Sequence, residues 1–339
     1  MQGAKTRYLP LIEEALREVL RAPRETLAAH HAMMQYHLGW LDEGLRPRTG
    51  GGGKRLRPLL CLLACEAAGG DVQVALPAAV AIEILHNFSL VHDDIEDNSP
   101  TRRGRPAVWA LWGVPQAVNV GDALFALAHQ TLGRLSEHDV PAARLLAATR
   151  AFDDTCVALT AGQFLDMSFE ARLDVTVDEY LEMIEGKTAA LLGLSTGLGA
   201  LLAGAPGQTA SMFHRFGKSL GIAFQIQDDI LGIWGDEALT GKPAASDILE
   251  KKKTLPVVYA LASAVAERLR PLYRQPELTA EDVPSVLALL EEVNARSYAQ
   301  QLADEAHDTA MTCLALTGLS EEALAPLREL AASLRGRQR

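Results

Sequence analysis

An apolar segment of the chain ends in four acidic residues, in the stretch His86-Asn87-Phe88-Ser89-Leu90-Val91-His92-Asp93-Asp94-Ile95-Glu96-Asp97. The spacing of the apolar residues predicts a helix, and Pro100 predicts its end, so the acids fall in the last helical turn. There the helix dipole is already negative, and each carboxylate costs about 0.3–1 kcal/mol before mutual repulsion is added. Asp93 and Asp97 lie one turn apart on one face. An arrangement this unfavourable indicates that the helix end binds something positively charged.

A solvated acidic helix end is the simplest alternative, and three features argue against it. Residues 80–91, before the acids, are largely apolar, which predicts a buried helix. The loop after the acids, Thr101-Arg102-Arg103-Gly104-Arg105-Pro106, brings three guanidinium groups within a few residues of the carboxylates. A second acidic pair, Asp228-Asp229, follows another apolar segment far downstream. The sequence therefore predicts two related acidic sites.

Helical spacing of apolar residues runs through most of the 339-residue chain, which is 48% hydrophobic and rich in Ala and Leu. We find no convincing alternating pattern of the kind that predicts a strand. We therefore predict an all-α fold with one large helical domain over residues 1–339, whose chemical motifs lie in about residues 45–260 and whose C-terminal helices are scaffold. The predicted helices are one or two over residues 9–38, single helices over 115–136, 141–171 and 216–234, one that begins at 175–178 and weakens or kinks at Gly186, and three or four over 255–334.

Composition and charge argue against several classes of protein. The formal net charge of -11 speaks against nucleic acid as a partner, because a phosphate backbone needs a basic surface. The four cysteines form no zinc pattern, and Cys61 and Cys65 are predicted to fill the core of a reduced, cytoplasmic protein. Residues 1–20 lack the apolar core of a signal peptide. Residues 188–205, the most membrane-like run, predict a buried helix and no transmembrane segment.

Glycines followed by basic residues mark three places that suit a phosphate group. Four glycines at 50–53 precede Lys54-Arg55-Leu56-Arg57-Pro58 at a predicted helix start, where backbone N–H groups and cationic side chains converge. Gly186-Lys187-Thr188 and Gly241-Lys242 are the other two. For each alone, a loop with solvated charges is the alternative. Together with two carboxylate pairs, which suit Mg²⁺ bound through substrate phosphates, they indicate diphosphate chemistry. The absence of a Gly-x-x-x-x-Gly-Lys-Ser/Thr loop argues against a nucleotide triphosphatase.

In order and spacing, these motifs resemble those of the trans-isoprenyl diphosphate synthases, also called polyprenyl synthetases. The matching segments are Gly53-Lys54-Arg55-Leu56-Arg57-Pro58, the run from His86 to Asp97, Arg102-Arg103-Gly104, Gly186-Lys187-Thr188, Phe224-Gln225-x-x-Asp228-Asp229 and Gly241-Lys242. The resemblance implies the isoprenoid synthase fold, in which antiparallel helices surround a deep central cavity and the two Asp-rich motifs face each other across its mouth. It also implies a homodimer, with the apolar helices of residues 115–171 as the predicted interface.

The same resemblance implies a role for each matching residue. The carboxylates that would bind Mg²⁺, with three ions in each active site, are Asp93, Asp97, Asp228 and Asp229. The side chains that would hold the allylic diphosphate are Arg102, Lys187 and Lys242. Those that would hold isopentenyl diphosphate are Lys54, Arg57, His86 and Arg103. Thr188 and Gln225 would lie near the reacting carbons, and Lys252 would be the lysine that follows the second motif.

The implied reaction is the Mg²⁺-dependent head-to-tail (1'-4) condensation of isopentenyl diphosphate with an allylic diphosphate: dimethylallyl, geranyl or farnesyl diphosphate. It proceeds by ionisation, condensation and deprotonation, and the released diphosphate can take the proton. The small Ser89, one turn before Asp93, would let the growing product pass. Phe88 resembles the aromatic floor of geranylgeranyl diphosphate synthases. We therefore expect the C20 product, geranylgeranyl diphosphate, with C15 farnesyl diphosphate as the alternative.

Three other functions fit parts of the pattern. A class I terpene cyclase also uses an Asp-rich motif, but it does not need the second phosphate site. A His-Asp phosphohydrolase, which His92-Asp93 would suit, needs further histidines at metal spacing. A catalytically dead partner subunit would have lost an Asp motif, and the one hint of this is Gly232, where many family members carry a third aspartate. The other departure from the family pattern is Lys251, which stands where a glycine is frequent.

Overall fold

Helices make up nearly all of the regular structure in the computed structural model, which describes residues 2–48, 53–235 and 245–335. The first six helices are α1 (Gln2–Val19), α2 (Ala28–His37), α3 (Leu56–Ala67), α4 (Val72–Glu96), α5 (Val108–Trp112) and α6 (Val114–Gly133). The next four are α7 (Ala142–Phe169), α8 (Val177–Ile184), α9 (Ala190–Leu202) and α10 (Gly207–Trp234). After residue 245 come α11 (Ser246–Leu249), α12 (Leu255–Leu261), α13 (Ala266–Arg274), α14 (Val283–Glu292), α15 (Ala295–Ala315) and α16 (Glu321–Arg335). The all-α prediction is confirmed.

The arginine-rich loop after α4 forms a two-stranded hairpin that the sequence pattern did not reveal. Strands β1 (Thr101–Arg102) and β2 (Arg105–Pro106) are antiparallel, with Arg102 opposite Arg105. Both turn residues have positive φ, 54° at Arg103 and 71° at Gly104. Positive φ at both positions suits a two-residue hairpin turn, because it matches the right-handed twist of the strands. The strands are too short for apolar and polar residues to alternate visibly.

The predicted helix boundaries hold best where proline and glycine mark them. The kink predicted at Gly186 is a π-helical turn, Glu185–Ala189, between α8 and α9. Between residues 255 and 335 there are five helices where three or four were expected. One extra break lies at Asn294, whose left-handed φ of 54° separates α14 from α15. The pattern of apolar residues cannot predict a left-handed backbone conformation at a single asparagine.

The chain divides into two compact units, and each is described here by itself. Unit 1 comprises residues 1–150 and 198–207, and unit 2 comprises residues 151–197 and 208–339. A single domain with a central cavity stays a prediction.

Helix α4 is the central helix of unit 1, packed against α3 and α6. Its N-terminus is capped by Asp71, whose side chain accepts the Gln73 N–H. Gly121 of α6 permits the close approach of His92 of α4, because an added Cβ at Gly121 would stand 2.1 Å from Nε2 of His92. By length and hydropathy α4 is also the one candidate membrane span among the described residues. About two thirds of its most apolar window is buried inside the protein (67%), as in the core helix of a globular unit.

In the part of unit 2 that the structure describes, two apolar clusters contribute to the core. One joins α10 to the C-terminal helices through buried residues that include Ile233, Ile248, Val257, Leu261, Leu269 and Leu290. The other joins α8, α10, α12 and α15 through residues that include Tyr180, Ile184, Ile226, Ile230, Val258 and Ala299. The second cluster holds the start of α12 against α10, and so brings the backbone of Leu255 to the buried face of the second acidic pair.

Candidate active site

The first acidic helix end separates its two adjacent aspartates. Asp94 is 1% exposed, and its Oδ1 accepts hydrogen bonds from Arg102 at 2.7 Å (Nε) and 2.6 Å (Nη2). Burial raises the pKa of Asp94, and the Arg102 hydrogen bond acts against that rise. Asp93 is half-buried and Asp97 is exposed at the end of α4. The predicted metal ligands are thus the two outer carboxylates, and Asp94 positions Arg102.

The hairpin turn brings Arg103 to the segment that carries Lys54. The Arg103 guanidinium lies against Gly53, where an added Cβ would meet its Nη atoms at 3.6 Å. Two of the residues predicted to bind isopentenyl diphosphate are therefore neighbours in space, although 49 positions separate Lys54 and Arg103 in sequence.

A buried ion network anchors the start of α3. Arg55 is 2% exposed and left-handed, with φ 46°. Its Nε donates to Glu13 at 2.7 Å and its Nη1 to Glu83 of α4 at 2.9 Å. Asn87 donates to the Glu83 carbonyl at 2.8 Å. Because removing one partner of a buried ion pair leaves an uncompensated charge, this network fixes the backbone between Lys54 and Arg57. Sequence reasoning missed Arg55 and Glu83, since nothing in the pattern shows which basic residue turns inward.

Arg57 and His86 lie in a cationic environment. Burial, followed by the charges of Arg57 and Arg103, lowers the pKa of His86 well below its usual range. Burial also lowers the pKa of Arg57, to about 10. The Nε of Arg57 is buried and has no hydrogen-bond partner among the described residues. Clustered cations with an unsatisfied buried donor are what an anion-binding site requires.

The second acidic pair lies on α10, more than one turn before that helix ends at Trp234, and it repeats the division into an outer and an inner aspartate. Asp228 is exposed, whereas Asp229 is buried and accepts three hydrogen bonds. Their donors and lengths are Tyr180 Oη at 2.6 Å, Leu255 N at 2.8 Å and Gln225 Nε2 at 3.0 Å. Burial raises the pKa of Asp229 to about 7, against the effect of these donors. Asp229 therefore links α10 to Tyr180 of α8 and to the backbone at the start of α12.

Thr188 and Gln225, both predicted to lie near the reacting carbons, contact each other. The Thr188 hydroxyl donates to Oε1 of Gln225 at 2.8 Å, and Nε2 of Gln225 donates to Asp229. A continuous hydrogen-bonded chain therefore links the hydroxyl of Thr188 through Gln225 and Asp229 to the Tyr180 phenol. Such a chain fixes the orientation of the Gln225 amide.

Lys187 lies on the π-helical turn and forms an ion pair with Asp166 of α7. Two glycines allow α7 and the π-helical turn to approach each other closely. A Cβ at Gly162 would stand 2.2 Å from the backbone nitrogen of Lys187, and a Cβ at Gly186 would stand 2.6 Å from the carbonyl oxygen of Ala158. Asp166 was missed from the sequence. The available signal was a glycine four residues before the acid, facing a second glycine beside the lysine.

The segment after α10 contains the remaining predicted residues. Lys242 lies outside the described residues. Lys252 is exposed and pairs with Glu250 at 2.9 Å, whereas its neighbour Lys253 is buried and donates to the Glu170 carbonyl at 3.1 Å. Lys251 adopts a left-handed φ of 55°, which explains why a glycine suits that position in related sequences.

Phe88 packs towards α6. Its ring centroid is 5.0 Å from that of Phe125 and 4.9 Å from that of His92. Phe125 in turn contacts the ring of His129 at 4.6 Å. Ser89 donates to the His86 carbonyl at 2.9 Å. The predicted floor residue is therefore part of an aromatic stack that joins α4 to α6.

The carboxylates suit a Mg²⁺ site that substrate and water complete better than a site closed by protein ligands alone. The described residues contain no group of three or more His, Cys, Asp or Glu side chains that could hold a metal ion. Mg²⁺ needs only one or two carboxylates when water and substrate phosphates complete its shell. Asp93 and Asp97 provide such a pair one turn apart, and Asp228 provides an exposed carboxylate in unit 2.

Comparison with known proteins gives one consistent result. The family described as polyprenyl synthetase matches residues 39–290. The chain is 43% identical to a geranylgeranyl diphosphate synthase of Mycobacterium tuberculosis over 317 residues, which cover 93% of this chain and 87% of that protein. It is 47% identical to a (2E,6E)-farnesyl diphosphate synthase of the same organism over 255 residues, or 75% and 70% of the two chains. Among solved structures, a polyprenyl synthetase from Streptomyces coelicolor has a TM-score of 0.88 at 37% identity and 98% coverage of both chains.

Proposed function

This chain belongs to the polyprenyl synthetase family, and we propose that it makes geranylgeranyl diphosphate from isopentenyl diphosphate and allylic diphosphates. It is a prenyltransferase of the trans-prenyl diphosphate synthase type. The observation that carries the proposal is the composition of unit 1: the carboxylates of Asp93 and Asp97 end the same helix that presents His86 to the cationic group of Arg57 and Arg103. The same helix thus carries carboxylates that suit a metal ion and a histidine that belongs to the cationic group, and a metal-dependent diphosphate reaction needs both.

The basic residues do the work of holding two diphosphates. Arg102, aimed by Asp94, and Lys187, aimed by Asp166, bind the allylic diphosphate and stabilise its departure. Lys54, Arg57, His86 and Arg103 bind isopentenyl diphosphate. We assign Lys242 to the allylic diphosphate and Lys252 to the position of the lysine that follows the second acidic motif. Neutral His86 donates a hydrogen bond without adding another full charge to the cluster.

The carboxylates of Asp93, Asp97 and Asp228 would hold Mg²⁺, three ions in each site, with Asp229 in support through its hydrogen bonds. When bound, the metal supplies charge neutralisation for the leaving diphosphate. Thr188 and Gln225 lie in one hydrogen-bonded chain, and their polar atoms face the developing allylic cation in our assignment. The 1'-4 bond then forms, and the proton leaves to the released diphosphate, so no buried side chain has to act as a base.

We assign the C20 product because Phe88 has a rigid backing. Its ring rests on Phe125 of α6, so the side chain resists displacement by a growing chain. The relatives named above include both geranylgeranyl and farnesyl diphosphate synthases, so C15 farnesyl diphosphate is the alternative product.

We also assign a homodimer and a reducing, cytoplasmic location. Helix α7 exposes large apolar side chains, with Val157 69% and Phe164 70% exposed, together with Leu146 and Met167. Exposed apolar residues repeated along one helix are typical of a protein interface. All four cysteines are buried free thiols, which suits a reducing compartment.

Turnover of purified protein with isopentenyl diphosphate and each of the three allylic primers tests the proposal. Product should form with Mg²⁺ and disappear with excess chelator, and the dephosphorylated alcohol should run as geranylgeraniol. A farnesol product would establish the alternative. Cyclised hydrocarbon, or no consumption of isopentenyl diphosphate with any primer, would refute the assignment.

A further inference from the structure

A cavity of about 210 Å³ lies in unit 1 on the side of the hairpin lined by α2 and the loop that follows it. It is bounded by the end of α2, the loop up to Arg48, the hairpin and the start of α5. Arg103 lines the cavity. The other three residues assigned to isopentenyl diphosphate do not line it: Lys54, Arg57 and His86. The cavity is therefore a different space from the one those three residues would enclose.

The wall of the cavity is strongly basic. Its charged lining residues are Arg48, Arg102, Arg103 and Arg105, and no carboxylate of the described residues lines it. Arg102 is bound to Asp94, and Arg105 donates to the Leu41 carbonyl at 2.7 Å and covers the Tyr36 ring. The side chains of Arg48 and Arg103 make no hydrogen bond or ion pair with the part of the chain that the structure describes. Two of the four guanidinium groups are therefore available to an anion.

His37 contributes a buried polar group to the wall of this cavity. It lines the cavity, is 7% exposed, and its Nε2 has no hydrogen-bond partner among the described residues. Burial, with the charges of Arg103, Arg102, Arg55 and Arg105, lowers the pKa of His37 well below its usual range. A neutral imidazole can place its hydrogen on Nε2 and donate it to an oxygen. A buried, unpaired nitrogen among arginines is costly unless a ligand satisfies it.

We propose that this cavity binds a small phosphate anion, inorganic diphosphate above all, through Arg48, Arg103 and His37. The cavity volume limits the size of the ligand: pockets for drug-sized ligands measure about 300–1,000 Å³, so this smaller cavity suits a free diphosphate rather than a prenyl diphosphate. The inference rests on the proposed function only for the source of the anion, which that reaction releases.

Occupancy of this site acts on the substrate site through shared residues. Arg102 and Arg103 line the cavity and are also the arginines assigned to the allylic and isopentenyl diphosphates. An anion that draws Arg103 towards His37 removes a donor from isopentenyl diphosphate, and its charge repels the substrate diphosphate. Because coupling between two ligands is reciprocal, isopentenyl diphosphate must weaken binding of the anion by the same factor.

Calorimetric titration of the full-length chain, without metal or substrate, tests the site with inorganic diphosphate and, in parallel, with orthophosphate. Wild type should show two classes of diphosphate sites, because the substrate site also accepts the probe. In Arg48→Ala one class should weaken about tenfold, the effect of losing a charge-assisted hydrogen bond. Arg46→Ala removes the same charge two positions earlier in the loop, outside the cavity lining, and should retain both classes.

The outcomes separate this inference from the proposed function. Tighter binding of diphosphate than orthophosphate, dependent on Arg48, supports the reaction product as the ligand. Tighter orthophosphate, again dependent on Arg48, supports the anion site with free phosphate as its occupant. Equal titrations for Arg48→Ala and Arg46→Ala would overturn the inference, even if wild type turns over normally. Absence of prenyl product with an intact Arg48-dependent site would instead refute the proposed function alone.

Discussion

The carboxylate of Asp247 lies directly against the backbone of Gly232: a Cβ at that glycine would stand 2.0 Å from Oδ2 of Asp247. Asp247 is 7% exposed, so the contact is inside the protein. Resemblance to the family places a third aspartate at position 232 in many members. In this chain another carboxylate occupies the adjoining space, and glycine is the residue that leaves room for it.

Gly232→Ala should lower the melting temperature, because the added methyl group overlaps the Asp247 carboxylate. Overpacking costs about 1–3 kcal/mol, which exceeds the gain of about 1 kcal/mol from replacing a helical glycine. Gly207→Ala, at the start of the same helix, is the control, since a Cβ there meets nothing within 4 Å. Equal melting temperatures for the two variants in differential scanning calorimetry would contradict the contact.

Gly232→Asp alone should be worse than Gly232→Ala, because it adds a like charge to the overlap. The double variant Gly232→Asp with Asp247→Gly should recover much of that loss, since it restores one carboxylate and one glycine in exchanged order. A double-mutant cycle on unfolding free energies measures this coupling, and residues in contact give about 0.5–3 kcal/mol. Additive effects of the two substitutions would show that the side chains are independent.

The sequence predicted that both acidic pairs lie on apolar helices, but not which of two adjacent acids points outward. In both pairs the second aspartate, Asp94 or Asp229, is buried and the first is not. Neighbouring helical residues differ by about 100° in direction, so the buried face depends on distant partners. Those partners are Arg102 for Asp94 and Tyr180 for Asp229, and neither pairing has a local signature in the sequence.

The supporting residues were the hardest to predict. Glu83 and Asp166 lie in segments with an ordinary helical pattern, and Asp247 lies between two predicted helices. Each acts through a contact at least 15 positions away in sequence. By contrast, the helix ends near Pro100 and the kink at Gly186 follow from local backbone chemistry and were predicted. Local sequence therefore predicted where helices end or kink, whereas the contacts that orient the candidate site residues join positions far apart in the sequence.

Asp93→Ala and Asp228→Ala should each lower kcat/KM by on the order of 10²–10³-fold, since each removes a carboxylate assigned to the metal. Circular dichroism should stay helical, because Asp93 is half-buried and Asp228 is exposed. Asp154→Ala, an exposed acid on α7, is the matched control and should retain activity. Near-normal turnover of either site variant at limiting Mg²⁺ would show that the metal assignment is wrong.

Tyr180→Phe should lower kcat while leaving the Michaelis constant for the substrates largely unchanged. It removes the 2.6 Å hydrogen bond to Asp229 and frees the Gln225 amide that Asp229 orients. Leaving one hydrogen bond of a buried carboxylate unmade costs about 1–3 kcal/mol, so the melting temperature should fall as well. A lower melting temperature with unchanged kcat would limit Tyr180 to a structural role.

The stability of the protein should fall on acidification, in part because of His37. A histidine whose pKa is lower in the folded chain binds fewer protons there than in the unfolded chain. Its contribution is therefore complete above about pH 6.5 and is lost as the pH falls below that value, by about 1.4 kcal/mol for each pH unit.

His37→Gln should accordingly lose less stability than wild type between pH 7.5 and pH 5.5 in urea unfolding. His138→Gln, in the turn before α7, is the control substitution. Parallel curves for wild type and His37→Gln would mean that His37 is not buried as a neutral ring. Addition of inorganic diphosphate should reduce the acid sensitivity of wild type, because an anion beside His37 favours its protonated form.

Product length should depend on Phe88, Ser89 and Phe125. Phe88→Ala should lengthen the product beyond C20, because it opens the floor, and Phe125→Ala should do so more weakly, because it removes the ring that supports Phe88 at 5.0 Å. Ser89→Phe should shorten the product towards C15, since position 89 lies one turn before Asp93 on the same face. Chromatography of the dephosphorylated alcohols gives the chain lengths directly. An unchanged C20 product in all three variants would exclude this aromatic stack as the floor and leave product length to residues elsewhere in the chain.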